Sequence, residues 1–342
     1  ESAGFLNPNP SFFGKILQYI RANYFIPDAR KFWVKPSVKY LKKYLSENKI
    51  DVIITTGPPH SLHLIGLQLK EELNMKWIAD FRDPWTEIDY FHQLPLTNRA
   101  IKKHHFLEEK VLRKADVVLV VGETMKANYK KFNSNITTIF NGFDGEINEL
   151  GTVLDAKFTC THIGLMNADR NPKIVWEVLT ELCSELEGFK EDFQLKLIGK
   201  VDSSILKSIE INQLSGNVEI INYVSHKEVL KFQQKSQVLL LVVNNVPSAK
   251  GIITGKIFEY LMANRPILAI APTDGDLAVI LNTTDAGVTI GFDDKVQLKK
   301  SMVDLYTKFK AGDLNIQAQN IEQFHRKALT KQVSEIIKDV LK

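Results

Sequence analysis

The chain is 342 residues long, 44% hydrophobic and 25% charged, a composition typical of globular chains, and its length suits two domains. No apolar run reaches the roughly 18 residues a membrane-spanning helix needs, and bulk disorder, collagen-like and coiled-coil readings fall away with it. The net charge of +4 is uneven: residues 1–49 hold 9 basic against 3 acidic residues, while residues 151–342 hold 23 of each.

That basic N-terminal segment interleaves its charge with Phe12, Phe13, Tyr24, Phe32, Trp33 and Tyr40. Cations and aromatic rings together suit an anionic membrane surface or a lipid phosphate. Single-stranded nucleic acid is the weaker rival partner, and a helix pair with a solvated basic face is the plainer alternative. From residue 50 onward, short runs rich in Val and Ile alternate with stretches of helical spacing. The runs are Ile50–Thr56, Trp77–Phe81, Asp116–Val121, Ile136–Phe140, Phe158–Ile163, Phe193–Ile198, Val218–Tyr223, Val238–Val243, Pro266–Ala271 and Gly287–Ile290. Most carry apolar residues on both faces, as buried parallel strands do. Strands alternating with helices predict doubly wound α/β sheets, and ten strands call for two sheets.

The division falls near residues 142–156, where Asn141-Gly142-Phe143-Asp144-Gly145 forms a turn cluster ahead of a polar, weakly patterned stretch. This places one α/β domain over residues 1–146, a second over 151–312, and a terminal helix within 313–342 that packs across them. Cys160 and Cys183 lie inside apolar segments, so no disulfide framework is expected and a reducing, cytoplasmic setting fits. No secretory signal is visible, and the chain begins at Glu1 rather than Met.

Open α/β sheets bind ligands beyond the carboxyl ends of their strands. Gly251–Pro266 is the sharpest such stretch. Thr254 and Gly255 start a helix that Asn264 ends in a left-handed cap, with Pro266 beyond it. The free N–H groups of that helix start suit a phosphate, and Gly255 permits close approach. Glu259, one turn in, can accept hydrogen bonds from vicinal hydroxyls such as a ribose offers; an acid favoured by the helix dipole is the plainer reading. At the end of the Trp77–Phe81 run, Asp80, Arg82 and Asp83 put three charges where burial demands pairing or a ligand. Thr55–Ser61 is a strand, a rigid turn and a helix start that present His60 and Ser61; His63 reads as packing. His104 with Glu108, and His105 with Glu109, have the spacing of a metal site, but among Lys102, Lys103 and Lys110 they read as a solvated face. Asp274-Gly275-Asp276 reads as a turn with a helix cap. Neither a Gly-rich dinucleotide fingerprint nor a P-loop is present.

The Thr254–Ala263 stretch resembles the donor-binding helix of retaining glycosyltransferases with the GT-B fold, glycosyltransferase family 4 in particular. Ile139–Asp144 is similar to that family's interdomain segment, and Ile78–Trp85 resembles its strand end facing the cleft. The resemblance covers most of the chain and implies two Rossmann-like domains facing a cleft. It implies that Glu259 holds the nucleoside ribose. Backbone N–H groups of Thr254, Gly255 and Lys256 hold the diphosphate, with Gly164 on the donor loop. Arg170 falls where the family has a basic diphosphate ligand, and Lys200, ending the next strand, is placed by position as a second cation. Asp80 and Arg82 lie opposite the donor as catalytic candidates, and His60, Ser61 and Asp83 as acceptor-side candidates.

Three departures stand out. Gly251 occupies the position, eight residues before Glu259, where many members carry a second Glu. Gly164-Leu165-Met166-Asn167 lacks the Arg that many members carry there. Nothing before Ser11 matches the strand and Gly-rich loop with which the family begins, so the N-terminal domain is expected to be incomplete. The implied function is retaining transfer of a sugar from a nucleoside diphosphate to an acceptor hydroxyl, in cell-surface polysaccharide or glycolipid assembly. The nucleotide sugar is a co-substrate, and no cofactor or metal is required. A lipid-linked or glycan acceptor and an anionic membrane are the expected partners, with no nucleic acid, at the inner face of the plasma membrane. The alternatives are a GT-B epimerase or phosphorylase and a non-catalytic nucleotide-sugar-binding subunit.

Overall fold

The structure is a computed structural model that describes residues 11–145 and 153–342. All ten apolar runs form strands: β1 (Val52–Gly57), β2 (Lys76–Phe81), β3 (Val117–Val120), β4 (Ile136–Thr138), β5 (Phe158–Ile163), β6 (Phe193–Ile198), β7 (Val218–Ile221), β8 (Val238–Val242), β9 (Ile267–Ile270) and β10 (Gly287–Ile290). They make two wholly parallel sheets, of order β1-β2-β3-β4 and β10-β9-β8-β5-β6-β7. The chain divides into two compact units, the first reaching Gly142 and taking in Arg326–Lys342, the second spanning Phe143–His325. The stretch predicted as a linker falls partly on residues 146–152, outside the described residues.

The first unit covers both faces of its sheet. Alternation along the strands sends Trp77, Ala79, Phe81, Val118 and Val120 to one side, against Leu67, Val111 and Leu112 of the helices Ser61–Leu73 and Asn98–Lys114. Ile78, Val117 and Leu119 face the other side, where Leu329, Val333 and Ile337 of the helix Arg326–Leu341 close it. This helix begins later than its expected 313–342 range. Residues 314–320 carry no helix, Asn320 turns left-handed at φ 56°, and a short 3-10 turn, Ile321–Phe324, precedes it.

In the second unit β5 is central, paired with β6 on one side and β8 on the other. Its sequence Phe-Thr-Cys-Thr-His-Ile is fully buried despite three polar residues. Each polar side chain is satisfied from a neighbour: Gln237 N–H donates to Thr159 Oγ1 at 3.0 Å and Ser236 Oγ to Thr161 Oγ1 at 2.6 Å. Both cysteines are free thiols. No helix among the described residues is long and apolar enough to cross a membrane.

Candidate functional site

The order of the second sheet reverses at β5. The chain leaves β5 for β6 and β7 on one side, then returns to β8, β9 and β10 on the other. The crevice beyond the carboxyl ends of β5 and β8 is therefore the topological switch point, the position at which such sheets take ligands.

Two glycines build its floor. Gly164, after β5, has φ 101°, and Gly199, after β6, has φ 115°. A Cβ on Gly199 would stand 3.1 Å from the Gly164 backbone, so the two loops approach closely because Gly199 carries no side chain. Met166 N–H then donates to Lys200 O at 3.0 Å and Asp202 N–H to Met166 O at 2.9 Å, which knits the loops together. Lys200 itself is exposed at the end of β6.

Arg170 closes the short 3-10 turn Ala168–Arg170. Its Nε donates to Asn244 Oδ1 at 2.6 Å and its Nη1 to Leu165 O at 3.0 Å. Leu165 follows β5 and Asn244 follows β8, so the guanidinium is strung across the switch point. Lys256 opens the helix Lys256–Ala263, and its Nζ lies 3.3 Å from His162 Nε2. His162, fully buried on β5, has its Nδ1 3.1 Å from Leu240 O; that carbonyl assigns the ring proton to Nδ1 and leaves Nε2 as an acceptor. Burial holds the His162 imidazole well below its usual pKa. Burial, then the charge of Arg170, pushes the Lys256 ammonium down to about 7 against an opposing pull from Glu259.

Glu259 is braced by Gln233, a buried side chain of the helix His226–Lys235, whose Nε2 donates to Glu259 Oε2 at 3.1 Å. Thr254 Oγ1 and Gln233 Oε1 are shielded from solvent and have no hydrogen-bond partner among the described residues. Gly255 has an ordinary φ of −57°, and a Cβ there would meet nothing within 4 Å. Packing of the chain against itself does not require that glycine, and the space beside Gly255 is open. Asn264 takes the predicted left-handed cap at φ 52°. Gly251 lies in the 3-10 turn Ala249–Gly251, so no carboxylate stands at that position.

The structure thus brings Gly164, Arg170, Lys200, Thr254, Gly255, Lys256 and Glu259 to strand ends and a helix start of one unit. Three further residues of the same unit take part: His162, Gln233 and Asn244. The available signal was His162 itself, an ionisable residue in a buried run, two positions before the strand-end Gly164.

In the first unit the predicted site residues are engaged with the framework. Arg82 Nε donates to Asp80 Oδ2 at 2.9 Å, and its Nη1 reaches Ile139 O at 3.3 Å and Phe140 O at 3.4 Å. Thr56 Oγ1 donates to the same Asp80 oxygen at 3.2 Å. Asp80 and Arg82, expected as catalytic residues, therefore form a brace that joins the ends of β1, β2 and β4. Ser61, expected on the acceptor side, is buried; its N–H and Oγ both donate to Asp28 at 2.8 Å, which makes it a capped helix start. His60 stacks on Trp85 with ring centroids 5.0 Å apart, and burial pushes its pKa down to about 4. The Asp83 carboxyl is raised by partial burial and by neighbouring Asp89.

His104 and Glu108 are not on a solvated face, contrary to expectation. Trp85 Nε1 donates to His104 Nδ1 at 3.0 Å, and Glu108 accepts from Thr86 N at 3.2 Å and Tyr129 OH at 2.7 Å. Both are core anchors for the loop after β2. His105 and Glu109 do sit outside, with Glu109 paired to Arg113 at 2.7 Å. No group of three or more His, Cys, Asp or Glu suited to a metal exists among the described residues.

Residues 6–146 match the family model of Glycosyltransferase Family 4. No curated protein matches the sequence. Among solved structures, the sucrose-phosphate synthase of Thermosynechococcus elongatus superposes with a TM-score of 0.65 at 14% identity, over 91% of this chain and 79% of that one. HepE of Anabaena in complex with UDP-glucose follows at 0.61 and 13%, over 88% and 82%. A protein of Listeria monocytogenes described as a putative UDP-N-acetylglucosamine 2-epimerase superposes at 0.53 and 12%, over 89% and 78%. At such identities the likeness establishes the fold, two Rossmann-like units of the GT-B type. The fold is therefore of the GT-B type, and residues 6–146 are similar to glycosyltransferase family 4.

Proposed function

We propose that the chain is a retaining glycosyltransferase that moves a sugar from a nucleoside diphosphate to an acceptor hydroxyl. The observation that carries this reading is Arg170, strung across the switch point, in the unit whose Lys256–Ala263 helix start has open space beside Gly255. In the reaction the bond from the anomeric carbon to the diphosphate oxygen breaks, and its electron pair leaves with the diphosphate. A bond from the acceptor oxygen forms, and the acceptor proton passes to the departing phosphate. Positive charge grows on the sugar while negative charge grows on the leaving group. Arg170 and the helix-start N–H groups are of the type that stabilises that leaving group, with Lys200 close along the chain to Gly199. Glu259, oriented by Gln233, takes the ribose hydroxyls. No metal or cofactor enters this scheme; the nucleotide sugar is the co-substrate. HepE was solved with UDP-glucose, which makes a uridine donor the first to try.

The acceptor side of the proposal is a lipid-linked or glycan acceptor in cell-surface polysaccharide or glycolipid assembly, at the cytoplasmic face of the plasma membrane. Its support is the helix Phe12–Tyr24, which buries no residue and leaves Phe12 and Phe13 about three-quarters exposed, at 74% and 75%. The test of the whole reading is transfer or slow hydrolysis of labelled nucleotide sugars by the intact chain. Release of nucleoside diphosphate from at least one donor is expected; binding without release instead favours a donor-binding subunit, the second reading, for which Gly251 in place of a carboxylate speaks.

A further inference from the structure

We propose that the Lys256 side chain is the second cation of the donor site, seated by His162 and Gly164 beside Arg170, and that it takes up a proton when the diphosphate arrives. This rests on reading the second unit as a nucleoside-diphosphate site. It adds to that reading a side chain whose backbone alone the helix-start argument used.

The seat is specific. Lys256 Nζ lies 3.3 Å from His162 Nε2, and a Cβ on Gly164 would stand 2.8 Å from Lys256 Cε and 3.1 Å from Nζ. A side chain at 164 would have to push the lysine's far end aside, and the φ of 101° there favours glycine in any case. His162 gives its own proton to Leu240 O, so its free lone pair holds one N–H of Lys256 without adding charge. The same Gly164–Asn167 stretch lacks the arginine that the family resemblance leads one to expect, and it is Lys256 that reaches it.

Burial first, and then the charge balance, explain the proton. The titratable and charged groups that face Lys256 are His162 from β5, Arg170 from the turn after β5 and Glu259 from its own helix. His162 stays neutral, so the resting site opposes one carboxylate to one fixed guanidinium in a largely desolvated place. A second cation is costly there, and the lysine pKa falls to about 7. A bound diphosphate adds at least two negative charges at the same point and restores the charged form. By linkage, affinity is highest where Lys256 is already protonated, below pH 7. It declines above pH 7, approaching about tenfold per pH unit while the bound form still carries the proton.

Calorimetric titration of the intact chain with UDP, ADP and GDP, from pH 7 to pH 9 in two buffers of different ionisation heat, tests this. In that window the nucleotide's own phosphate titration, with a pKa of about 6, is nearly complete. For the tightest of the three, uptake of about half a proton or more at pH 8 and weakening affinity with rising pH are expected. Lys256→Arg should bind with no uptake and little pH dependence, and Lys256→Met should lose about tenfold or more at pH 7. Wild-type binding without proton uptake, or Lys256→Met binding as tightly as wild type, overturns the proposal and leaves the donor site standing. If none of the three nucleotides binds the wild-type chain, the donor reading fails and this inference with it.

Discussion

The two units have the same layered build but use the polar groups at their strand ends differently. In the first, the described strands run in chain order, so no reversal opens a crevice among them. Asp80 answers Arg82, Asp28 answers Ser61, and Glu108 answers Thr86 and Tyr129, each inside the unit. In the second, the reversal at β5 gathers Arg170, Lys256 and a helix start at one point. The same charged residue types thus brace the framework at the strand ends of one unit and gather at the strand reversal of the other.

The largest expected effect tests the framework role of the first unit. It buries His60, His63 and His104 as neutral rings, with His60 and His104 pushed to about 4 and His63 well below its usual value. Unfolded histidine titrates near 6.5, so between pH 6.5 and 4 the unfolded chain binds more protons than the folded one. Stability is full above that window and declines as pH falls through it. For two such histidines the loss by pH 5 is on the order of 2–4 kcal/mol. Thermal melts at pH 7 and pH 5 should show it, and His104→Gln, which removes one titration, should shrink the difference. Equal midpoints at the two pH values would mean that these rings are not held neutral.

The next effects concern the second unit. Arg170→Ala should lower kcat/KM by about tenfold to a hundredfold, since a charged hydrogen bond is worth roughly 1.5–3 kcal/mol. Nucleoside diphosphate affinity should fall less, because charge on the leaving group grows in the transition state. Equal losses in both would make Arg170 a binding residue only. Glu259→Ala should weaken nucleoside diphosphate binding about tenfold with the fold intact. Gln233→Leu, which only frees Glu259 to wander, should cost about threefold. Calorimetry that finds Gln233→Leu worse than Glu259→Ala would reverse their assigned order.

Ten strands were legible because buried parallel strands write their environment locally, in short runs of Val, Ile and Leu. β5 shows why, since even with Thr159, Thr161 and His162 its run has the boundaries read from sequence. The helix start at Lys256 and the Asn264 cap were legible for the same reason, as each is set by neighbours in the chain. What escaped depends on partners far away in sequence. Asp28 caps Ser61 across 33 residues, Gln233 braces Glu259 across 26, and Lys256 meets His162 across 94. The Asp80–Arg82 pairing was not legible either, because a strand end with these charges is the same string whether they face a ligand or one another.

The smallest effect per residue concerns the surface on which the first unit differs most from the second. Phe12, Phe13, Leu17 and Tyr24 are exposed on a helix with no buried residue, and Phe32 and Trp33 remain 66% and 59% exposed. Lys35, Lys39 and Lys42 line a shallow depression on the next helix, Val34–Glu47, with Val38 and Glu72. Lys42 is paired with Glu72 at 2.5 Å, both about half exposed, so its charge is partly spoken for and Lys39 is the better probe. Near an anionic leaflet each lysine contributes about 1 kcal/mol, and exposed rings add interfacial anchoring. Binding of the intact chain to phosphatidylglycerol vesicles is therefore expected at low salt, with loss at high salt. Lys39→Glu should weaken it about thirtyfold, since reversal turns about 1 kcal/mol of attraction into a similar repulsion. Lys42→Glu should cost as much or less, because its neighbour already offsets it. Phe13→Ala should reduce the salt-resistant part of binding and leave the salt slope unchanged. If wild-type protein ignores such vesicles at low salt, the aromatic surface serves another purpose and the acceptor is better sought among soluble glycans.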